Sequence, residues 1–442
     1  MKAVKNKSSK NILVLCYYFP PMGMGGTQRA AKFVKYLPGH GWNPIVITVK
    51  DVHYHAHDDS LLDDVKDVTI IRTESLDPLR LLARLRRKSV SDSNSNSANT
   101  GRKGLLNWLN ETVGAWLLVP DSKILWAPFA FFAAWKQIRQ RHIRTVFTTS
   151  PPHSVHLIAV LLKRLTGIHW VADFRDDWTG GESQPCPSRL HRALNRLMER
   201  VVLRTADCVV GMCEPLTRNL QAKANHPSGR FETIMNGYDP ADFLPYIETP
   251  LHPEFTITHC GSISRVSHPE PFLKGLKQFL DEESDQHSEM RMQFIGTDMF
   301  GNLQRLVAEI GLETRVDPIR YLPHHQAVQE LMASHLLLLT IFRQTDEEII
   351  TGKVFEYLAS GKPILIIARG GYVAQFITRL NRGIVVDNDD IAGIANAIRD
   401  YYQLYQQNKM PFAKPIAVPE FDRDQQAAHL ARICFELETT MG

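Results

Sequence analysis

Residues 346–369, DEEIITGKVFEYLASGKPILIIAR, join a helix to a strand and constrain the fold more than any other part of the chain. Thr351 is predicted to cap the helix by accepting a backbone N–H bond from its first turn. Gly361 suits a left-handed C-terminal cap, and Pro363 prevents the helix from continuing. The run Ile364–Ile367 is typical of a buried parallel strand. A helix that begins at the edge of such a layer attracts phosphate through its unpaired amides and its dipole.

Charged residues surround this helix start. Lys353 lies in the first turn next to Gly352 and adds a positive charge where phosphate is expected. Glu348 and Glu356 flank the turn. The segment therefore predicts an anion-binding helix start bordered by two carboxylates.

The overall composition indicates a globular protein of two domains. The chain has 442 residues, which is more than one hydrophobic core usually serves. Its net charge of +4 is too small to indicate a nucleic-acid partner, and no DNA- or RNA-binding signature is present. The 6 cysteines are scattered without a C-x-x-C pair, which indicates reduced thiols in a cytoplasmic protein.

Two apolar stretches resemble targeting or membrane segments. The basic and apolar N-terminus lacks a small-residue cleavage site, and residues 20–23, PPMG, indicate a turn instead. The longest apolar run, residues 124–135, contains a proline and is far shorter than the roughly 20 residues that a span needs. We therefore expect a chain that does not cross the membrane.

The first half of the chain alternates strands with helices, which predicts a parallel, doubly wound sheet. A strand at residues 11–16 leads into a glycine-rich loop and then a helix at residues 27–37. Gly25 and Gly26 lack the G-x-G-x-x-G spacing of a dinucleotide site. They either let a ligand approach the backbone closely or form a plain tight turn.

Basic and aromatic residues are concentrated in an insertion at about residues 79–125. The amphipathic pattern of residues 79–116 suits either an anionic membrane surface or helices that pack on the sheet. For residues 129–135, packing on the sheet is favoured. A peripheral membrane contact is therefore expected to rest on residues 79–116.

Three alternating histidines, His53, His55 and His57, precede two aspartates. Such a cluster can hold a metal, but an exposed loop after a strand has the same composition. The loop interpretation is favoured, and no metal or other cofactor is expected.

Charged residues follow a predicted buried strand, in the segment DFRDDW. Such residues normally lie at the ligand edge of an open α/β sheet. Asp173, Arg175 and Asp176 are therefore candidate site residues, and the alternative is an Arg–Asp pair that stabilises the loop. His153 and His156 follow the preceding strand, where one is expected to contact substrate and the other to pack.

Residues 246–254, YIETPLHPE, have the prolines and polarity of a linker between domains. The α/β pattern then begins again, with strands predicted at residues 256–260, 291–295, 315–321, 335–340, 363–367 and 383–386. Gly261 and Ser262 follow the first of these strands, at the expected ligand edge. Two domains of this kind offer a cleft suited to a nucleotide-type ligand.

Several motifs in this order resemble family 4 glycosyltransferases of the GT-B fold, over about residues 11–440. They are YYFPPMGMGGTQR, DFRDDW, NGYD and the Glu348–Glu356 pair with GKVFEYLASGKPIL. The resemblance implies two Rossmann-like domains that face each other across a cleft. Residues 1–245 would bind the acceptor and residues 255–420 the nucleotide sugar, and a final helix at residues 421–442 would cross back to the first domain.

The resemblance also implies an activity. It is the transfer of a sugar, with retention of configuration, from a nucleotide-diphosphate donor to a glycan or lipid-linked acceptor in bacterial surface-polysaccharide synthesis. No metal is implied. A nucleotide-sugar epimerase of the same fold and a nucleotide-binding protein with a decayed site are the alternatives.

The resemblance assigns roles to individual residues. Glu356 would bind the ribose, Glu348 would lie beside the donor sugar, and the helix start would receive the diphosphate. Many relatives carry cations at the positions of Ser262 and His268, so Arg265 and Lys353 are expected to supply that charge. The predicted catalytic residues are Glu348, Asp173 and Arg175; the donor-binding residues are Glu356, Lys353, Thr351, Gly352, Gly25, Gly26, Gly261, Ser262 and Arg265; the acceptor-binding residues are His153, His156 and Asp176.

Overall fold

A computed structural model of the chain describes residues 9–23, 25–50, 57–76, 118–180, 187–225, 229–264, 267–282, 290–299, 301–341, 350–414 and 419–439. The chain divides into two compact units. Unit 1 comprises Met1–His57, Leu62–Met235 and Gln426–Gly442, and unit 2 comprises Asp58–Leu61 and Asn236–Gln425. The chain thus leaves unit 1 after Met235, ahead of the linker predicted at residues 246–254. The domain roles stay predictions.

Unit 1 is built on a parallel sheet. Its strands are β1 (Lys10–Leu15), β2 (Trp42–Val49), β3 (Thr69–Thr73), β4 (Thr145–Ser150), β5 (His169–Phe174), β6 (Cys208–Gly211) and β7 (Arg230–Thr233). They pair in the order β3-β2-β1-β4-β5-β6-β7. The helices are α1 (Gly25–Tyr36), α2 (Ala127–Arg141), α3 (Ser154–Thr166), α4 (Arg189–Thr205) and α5 (Glu214–Ala224), with 3-10 turns at Leu37–His40, Asp59–Val65 and Ser122–Trp126.

Unit 2 is built on a second parallel sheet. Its strands are β8 (Phe255–Cys260), β9 (Met290–Ile295), β10 (Leu336–Thr340), β11 (Ile364–Ile367) and β12 (Gly383–Val386), in the order β12-β11-β10-β8-β9. The helices are α6 (Pro240–Phe243), α7 (Glu270–Glu282), α8 (Leu303–Ile310), α9 (His324–Ala333), α10 (Gly352–Ser360), α11 (Gly371–Arg379) and α12 (Ile391–Gln406). Leu244–Tyr246 and Pro419–Phe421 are 3-10 turns. The last described helix, α13 (Arg423–Thr439), begins in unit 2 and belongs to unit 1 from Gln426 onward.

The predicted fold class, two doubly wound Rossmann-like α/β domains, is confirmed by these sheets. In unit 1, apolar residues of α1 and α13 share one core with the strands, and Trp42 Nε1 donates to the Ala431 carbonyl of α13 at 3.2 Å. The other sheet face is covered by α2, α3, α4 and α5, each in contact with the next. Right-handed crossovers between successive parallel strands require this arrangement.

One predicted strand is wrong. Residues 315–321 form only isolated bridges, from Val316 to Met292 and from Arg320 to Ile295. Pro318 lies between the two bridges and has no N–H to donate to a ladder, which explains the interruption.

Several predictions fall outside the described residues: Glu348, Arg265, His53, His55 and residues 79–117 of the basic aromatic insertion. Among the helices that the structure describes, none is both long enough and apolar enough to cross a bilayer.

Candidate functional site

The strand order of unit 2 reverses between β8 and β10, and ligands of open α/β sheets bind where strand order reverses. Gly261 follows β8 there with a φ of 129°, which L side chains rarely adopt. A Cβ atom on Gly261 would lie 2.6 Å from Lys353 Nζ in the first turn of α10. Glycine is therefore needed at this position for two reasons: it tolerates the positive φ, and it has no side chain that would collide with Lys353.

Lys353 is partly buried at this edge, and its ammonium group has defined partners. Nζ lies 3.3 Å from His259 Nε2 and 3.3 Å from the Ser262 carbonyl oxygen. His259 Nδ1 is 3.1 Å from the Leu338 carbonyl, which can only accept, so Nδ1 carries the proton and Nε2 accepts from the lysine. Burial lowers the pKa of Lys353 to about 8, partly offset by Cys260 and Glu356. Burial, and then the charge of Lys353, hold the pKa of His259 well below its usual value.

The start of α10 has the predicted position but lacks the predicted side-chain cap. Thr351 is the N-cap residue with extended backbone, yet its hydroxyl caps nothing. Thr351 Oγ1 is buried and has no hydrogen-bond partner among the described residues. Gly352 is exposed, and a Cβ atom there would meet nothing within 4 Å. The Val354 N–H donates to the Thr351 carbonyl at 3.2 Å, and the N–H groups of Gly352 and Lys353 have no acceptor among the described residues, so these two are suited to an anion.

Glu356 lies one turn further along α10 and pairs with His324 at the start of α9. Glu356 Oε1 is 3.1 Å from His324 Nε2. The His324 backbone N–H donates to Asp58 Oδ2 at 2.7 Å, and its ring lies 3.9 Å from Asp242 Oδ2. These contacts fix the orientation of the carboxylate that is predicted to bind ribose.

The positions that carry cations in many relatives have local structural roles here. Ser262 Oγ is 2.9 Å from Thr297 Oγ1, and the Ser262 carbonyl accepts from Ser267 Oγ at 2.8 Å. The ring of His268 accepts from the Glu270 backbone N–H at 3.4 Å, at the start of α7. Of the described residues at this edge, Lys353 therefore carries the positive charge closest to Gly261.

In unit 1 the strand order reverses between β1 and β4, where α1 begins at Gly25. The buried Arg175 guanidinium donates to the carbonyls of Ser150 at 2.9 Å, Pro151 at 2.8 Å and Gly26. A Cβ atom on Gly26 would lie 2.8 Å from Arg175 Nη1. Arg175 thus ties the start of α1 to the end of β4 through backbone carbonyls. Burial lowers the pKa of Arg175, and the charges of Asp176 and Asp173 partly offset this effect.

Asp173, at the end of β5, is the buried counterion of Arg29 in α1. Arg29 Nη2 donates to Asp173 Oδ1 at 2.7 Å and Nε donates to Oδ2 at 3.0 Å. Thr149 Oγ1 donates to the same carboxylate at 2.7 Å. Arg29 also donates to the carbonyls of Ile234 and Met235, both at 2.8 Å. The network joins α1, β4, β5 and the last residues of unit 1 before the chain enters unit 2.

Both predicted acceptor histidines lie in the core of unit 1. His153 is stacked on Trp178 with ring centroids 4.9 Å apart, and His156 Nδ1 is 2.8 Å from Thr148 Oγ1. Burial lowers the pKa of both rings, that of His156 to about 3. Contact with an acceptor would require these rings to become exposed, whereas Asp176 is already partly exposed. The acceptor-binding role of all three stays a prediction.

The structure brings Lys353, Gly261 and Ser262 together in unit 2, and Gly26 with Arg175 in unit 1. Sequence reasoning missed the side chains that hold these groups in place, namely Arg29, His259, His324 and Tyr357. The Tyr357 hydroxyl accepts from the Cys260 backbone N–H at 2.8 Å and so joins α10 to β8. The sequence signal that could have indicated such residues is a polar side chain within an apolar segment, such as His259 within the strand FTITHC.

Two family models match the chain. The model for the "Glycosyl transferase 4-like domain" matches residues 25–237, and the model for "Glycosyl transferases group 1" matches residues 248–411. No curated protein sequence is significantly similar to the chain.

Solved structures with the same fold extend over nearly the whole chain. An alpha,alpha-trehalose-phosphate synthase (UDP-forming) from Burkholderia vietnamiensis is 11% identical, with a TM-score of 0.63, over 98% of this chain and 100% of that one. Sucrose-phosphate synthase from Thermosynechococcus elongatus is 14% identical, with a TM-score of 0.60, over 98% of both chains. WaaG, a glycosyltransferase involved in lipopolysaccharide biosynthesis, is 13% identical, with a TM-score of 0.53, over 95% of both chains. At these identities the similarity shows a shared fold.

Proposed function

The chain belongs to the glycosyltransferases of the GT-B fold, and on that premise we propose that it moves a sugar from a nucleotide-diphosphate donor to a glycan or lipid-linked acceptor. The observation that carries the proposal is the position of the partly buried Lys353 in the first turn of α10, against Gly261. We propose further that the transfer retains the anomeric configuration.

The chemistry of the leaving group accounts for this arrangement. As the bond between sugar and phosphate breaks, negative charge grows on the nucleotide diphosphate. The amides of Gly352 and Lys353 at the start of α10 and the Lys353 ammonium stabilise that charge more in the transition state than in the ground state. His259 and the Ser262 carbonyl hold the ammonium close to this edge before the donor binds. Glu356 then binds the ribose hydroxyls, and Glu348 lies beside the sugar.

The biological setting belongs to the same proposal. The fold neighbour WaaG acts in lipopolysaccharide biosynthesis, which supports an acceptor from a bacterial surface polysaccharide such as O-antigen, capsule or exopolysaccharide. Such acceptors are built on lipid carriers at the inner face of the cell membrane. We therefore propose that the chain is a cytoplasmic enzyme that binds peripherally to the inner face of this membrane. We also propose that it needs no metal cofactor.

Transfer and epimerisation are distinguished by their need for an acceptor. A panel of UDP-, GDP-, ADP- and dTDP-linked sugars identifies the donor by thermal shift, because a ligand that binds the folded state raises its stability by mass action. With that donor, a transferase forms glycosylated product only when acceptor is added. Product from the donor alone, as an isomeric sugar nucleotide, would establish the epimerase alternative. Absence of binding at millimolar concentration would establish a decayed site.

Glu356→Ala is expected to weaken donor binding roughly 10- to 100-fold, because a hydrogen bond to a charged group contributes about 1.5–3 kcal/mol. Calorimetric titration of the donor measures this, with the thermal midpoint recorded as a check on folding. Glu330→Ala is the matched control, because Glu330 also pairs with a histidine, His252, at 3.2 Å. Equal affinity of wild type and Glu356→Ala would remove Glu356 from the donor site.

Donor affinity is expected to fall as pH rises through the pKa of Lys353. Burial lowers that pKa to about 8, so the ammonium is mostly charged below pH 8 and mostly neutral above it. Binding of a diphosphate requires the charged form, so affinity at about pH 9 should be about tenfold lower than at about pH 7. The diphosphate of a sugar nucleotide does not titrate in this range. In Lys353→Met the affinity should be lower but independent of pH, and a persistent pH dependence there would assign the titration to another group.

A further inference from the structure

Three neighbouring helices of unit 1 present apolar side chains to solvent. They are α2, α3 and α4, which lie on the same face of the sheet, each in contact with the next. Their exposed large apolar residues are Phe132, Trp135, Leu161, Leu165, Leu190, Leu194 and Leu197. A soluble surface rarely gathers so many without a partner.

The densest part of this surface is on α4. Leu190, Leu194 and Leu197 recur at helical spacing, so they form one stripe along the helix. They are 65%, 39% and 56% exposed. The side of α4 that packs inward carries His191, Asn195, Glu199, Val202 and Leu203, all buried.

Exposed arginines run beside the leucine stripe. They are Arg189, Arg196 and Arg200, which share one side of α4 next to the leucines. Within the part of the chain that the structure describes, none of these three forms an ion pair with a carboxylate. We define the leucine–arginine face as the stripe and these three arginines together with Leu161 and Leu165 of α3.

Acidic residues are nearly absent from the three helices. The sequences of α2 and α3 contain neither Asp nor Glu, and α4 contains only Glu199. Glu199 is buried and accepts from Lys223 at 3.2 Å, so its charge does not reach the surface. Lys136, Arg139 and Arg164 add exposed positive charge on α2 and α3. The surface is therefore apolar and uniformly cationic.

We propose that the leucine–arginine face lies against an anionic lipid bilayer. Leucines inserted at the headgroup boundary lose contact with water, while the adjacent arginines reach the lipid phosphates. Each Lys or Arg near an anionic surface adds about 1 kcal/mol of attraction at physiological salt. The inference rests on the membrane contact in the proposed function, and it places that contact on described helices rather than on residues 79–116.

The charge of the face argues against two other binding partners, namely residues 77–117 of the same chain and a second copy of the protein. Residues 77–117 carry more Lys and Arg than Asp and Glu, so folding them onto this face would bring like charges together. A second copy that pairs through the same face would do so as well. An anionic surface is the partner whose charge complements the arginines.

Vesicle co-sedimentation of the full-length chain tests the proposal. We expect binding to vesicles of phosphatidylcholine with about 30% phosphatidylglycerol, weak binding to phosphatidylcholine alone, and loss of binding at about 0.5 M salt. Leu190→Ser, Leu194→Ser and Leu197→Ser combined should lower the partition coefficient at least about tenfold. Arg189→Gln, Arg196→Gln and Arg200→Gln combined should lower it roughly 100-fold, since each arginine adds about 1 kcal/mol.

The control variant replaces three apolar residues of unit 2 whose exposure is similar to that of the leucine stripe. Leu244→Ser, Ile247→Ser and Leu251→Ser replace side chains that are 64%, 54% and 38% exposed, close to the values of the leucine stripe. This variant should bind vesicles like the wild type. Unchanged thermal midpoints exclude misfolding as the cause of lost binding.

Any of the following results would overturn the proposal. The first is that the wild type does not bind anionic vesicles, or that the leucine variant binds them as well as the wild type does. The second is loss of binding only in Arg84→Gln, Arg86→Gln and Arg87→Gln, which would assign the contact to residues 79–116. The third is a concentration-dependent dimer that the leucine variant converts to monomer. Donor titration of the same proteins keeps the sugar-transfer proposal separate, because vesicle binding requires no nucleotide.

Discussion

Lys353→Met is expected to lower kcat/KM for sugar transfer by about 100- to 1000-fold, the usual effect of removing one preorganised donor to a developing oxyanion. Methionine keeps the length and the buried stem of lysine but cannot neutralise phosphate. Among the described residues at the carboxyl edge of the unit 2 sheet, Lys353 carries the positive charge nearest to Gly261, because Ser262 and His268 occupy the positions that carry cations in many relatives. Steady-state kinetics with the donor identified by thermal shift measures the loss.

Lys362→Met is the matched control for this prediction. Burial also lowers the pKa of Lys362 to about 8, and its ammonium group lies 4.4 Å from the centre of the Phe412 ring. Lys362 is two residues before β11, at the amino edge of the same sheet. Lys362→Met should therefore retain near wild-type kcat/KM. If Lys353→Met does so too, the diphosphate is neutralised elsewhere, with Arg265 the next candidate.

The segment that joins α10 to β11 shows which features of the fold can be predicted from the local sequence pattern. Gly361 adopts the predicted left-handed cap with a φ of 71°, and β11 spans the predicted Ile364–Ile367. Both outcomes depend on residues adjacent in sequence, where glycine, proline and an apolar run have few conformations available. Thr351 took the predicted N-cap position, but its hydroxyl accepts no hydrogen bond from the first turn. Side-chain direction depends on neighbours that local pattern does not contain.

The contacts that hold the candidate-site residues in place could not be inferred from local sequence patterns. His259 and Lys353 are 94 positions apart, and Arg29 and Asp173 are 144 apart. Each pair meets because parallel strands bring their carboxyl ends to one edge of a sheet. The sequence indicated which edge would carry polar residues. It did not indicate which basic residue would face which acceptor, such as Arg29 opposite Asp173.

That pairing leads to the largest expected effect on stability. Asp173→Asn should destabilise unit 1 by about 3–5 kcal/mol, because it leaves the Arg29 guanidinium buried without its counterion. The asparagine has nearly the same shape, so the loss reflects charge rather than a cavity. All 7 tryptophans of the chain precede residue 180, within the span of unit 1, so tryptophan fluorescence during urea unfolding follows this unit.

A double-mutant cycle distinguishes a structural Asp173 from a catalytic one. Arg29→Met removes the buried charge, so adding Asp173→Asn to it should cost much less than Asp173→Asn alone, with a coupling of about 1–3 kcal/mol. If Asp173 acts chiefly in the reaction, as its position in DFRDDW suggested, Asp173→Asn would instead lower kcat with an unchanged unfolding midpoint and no coupling to Arg29. The double variant is decisive, because it restores charge balance in the core without restoring a carboxylate. Recovered stability together with recovered turnover would mean that Asp173 serves the reaction only by neutralising the buried charge of Arg29.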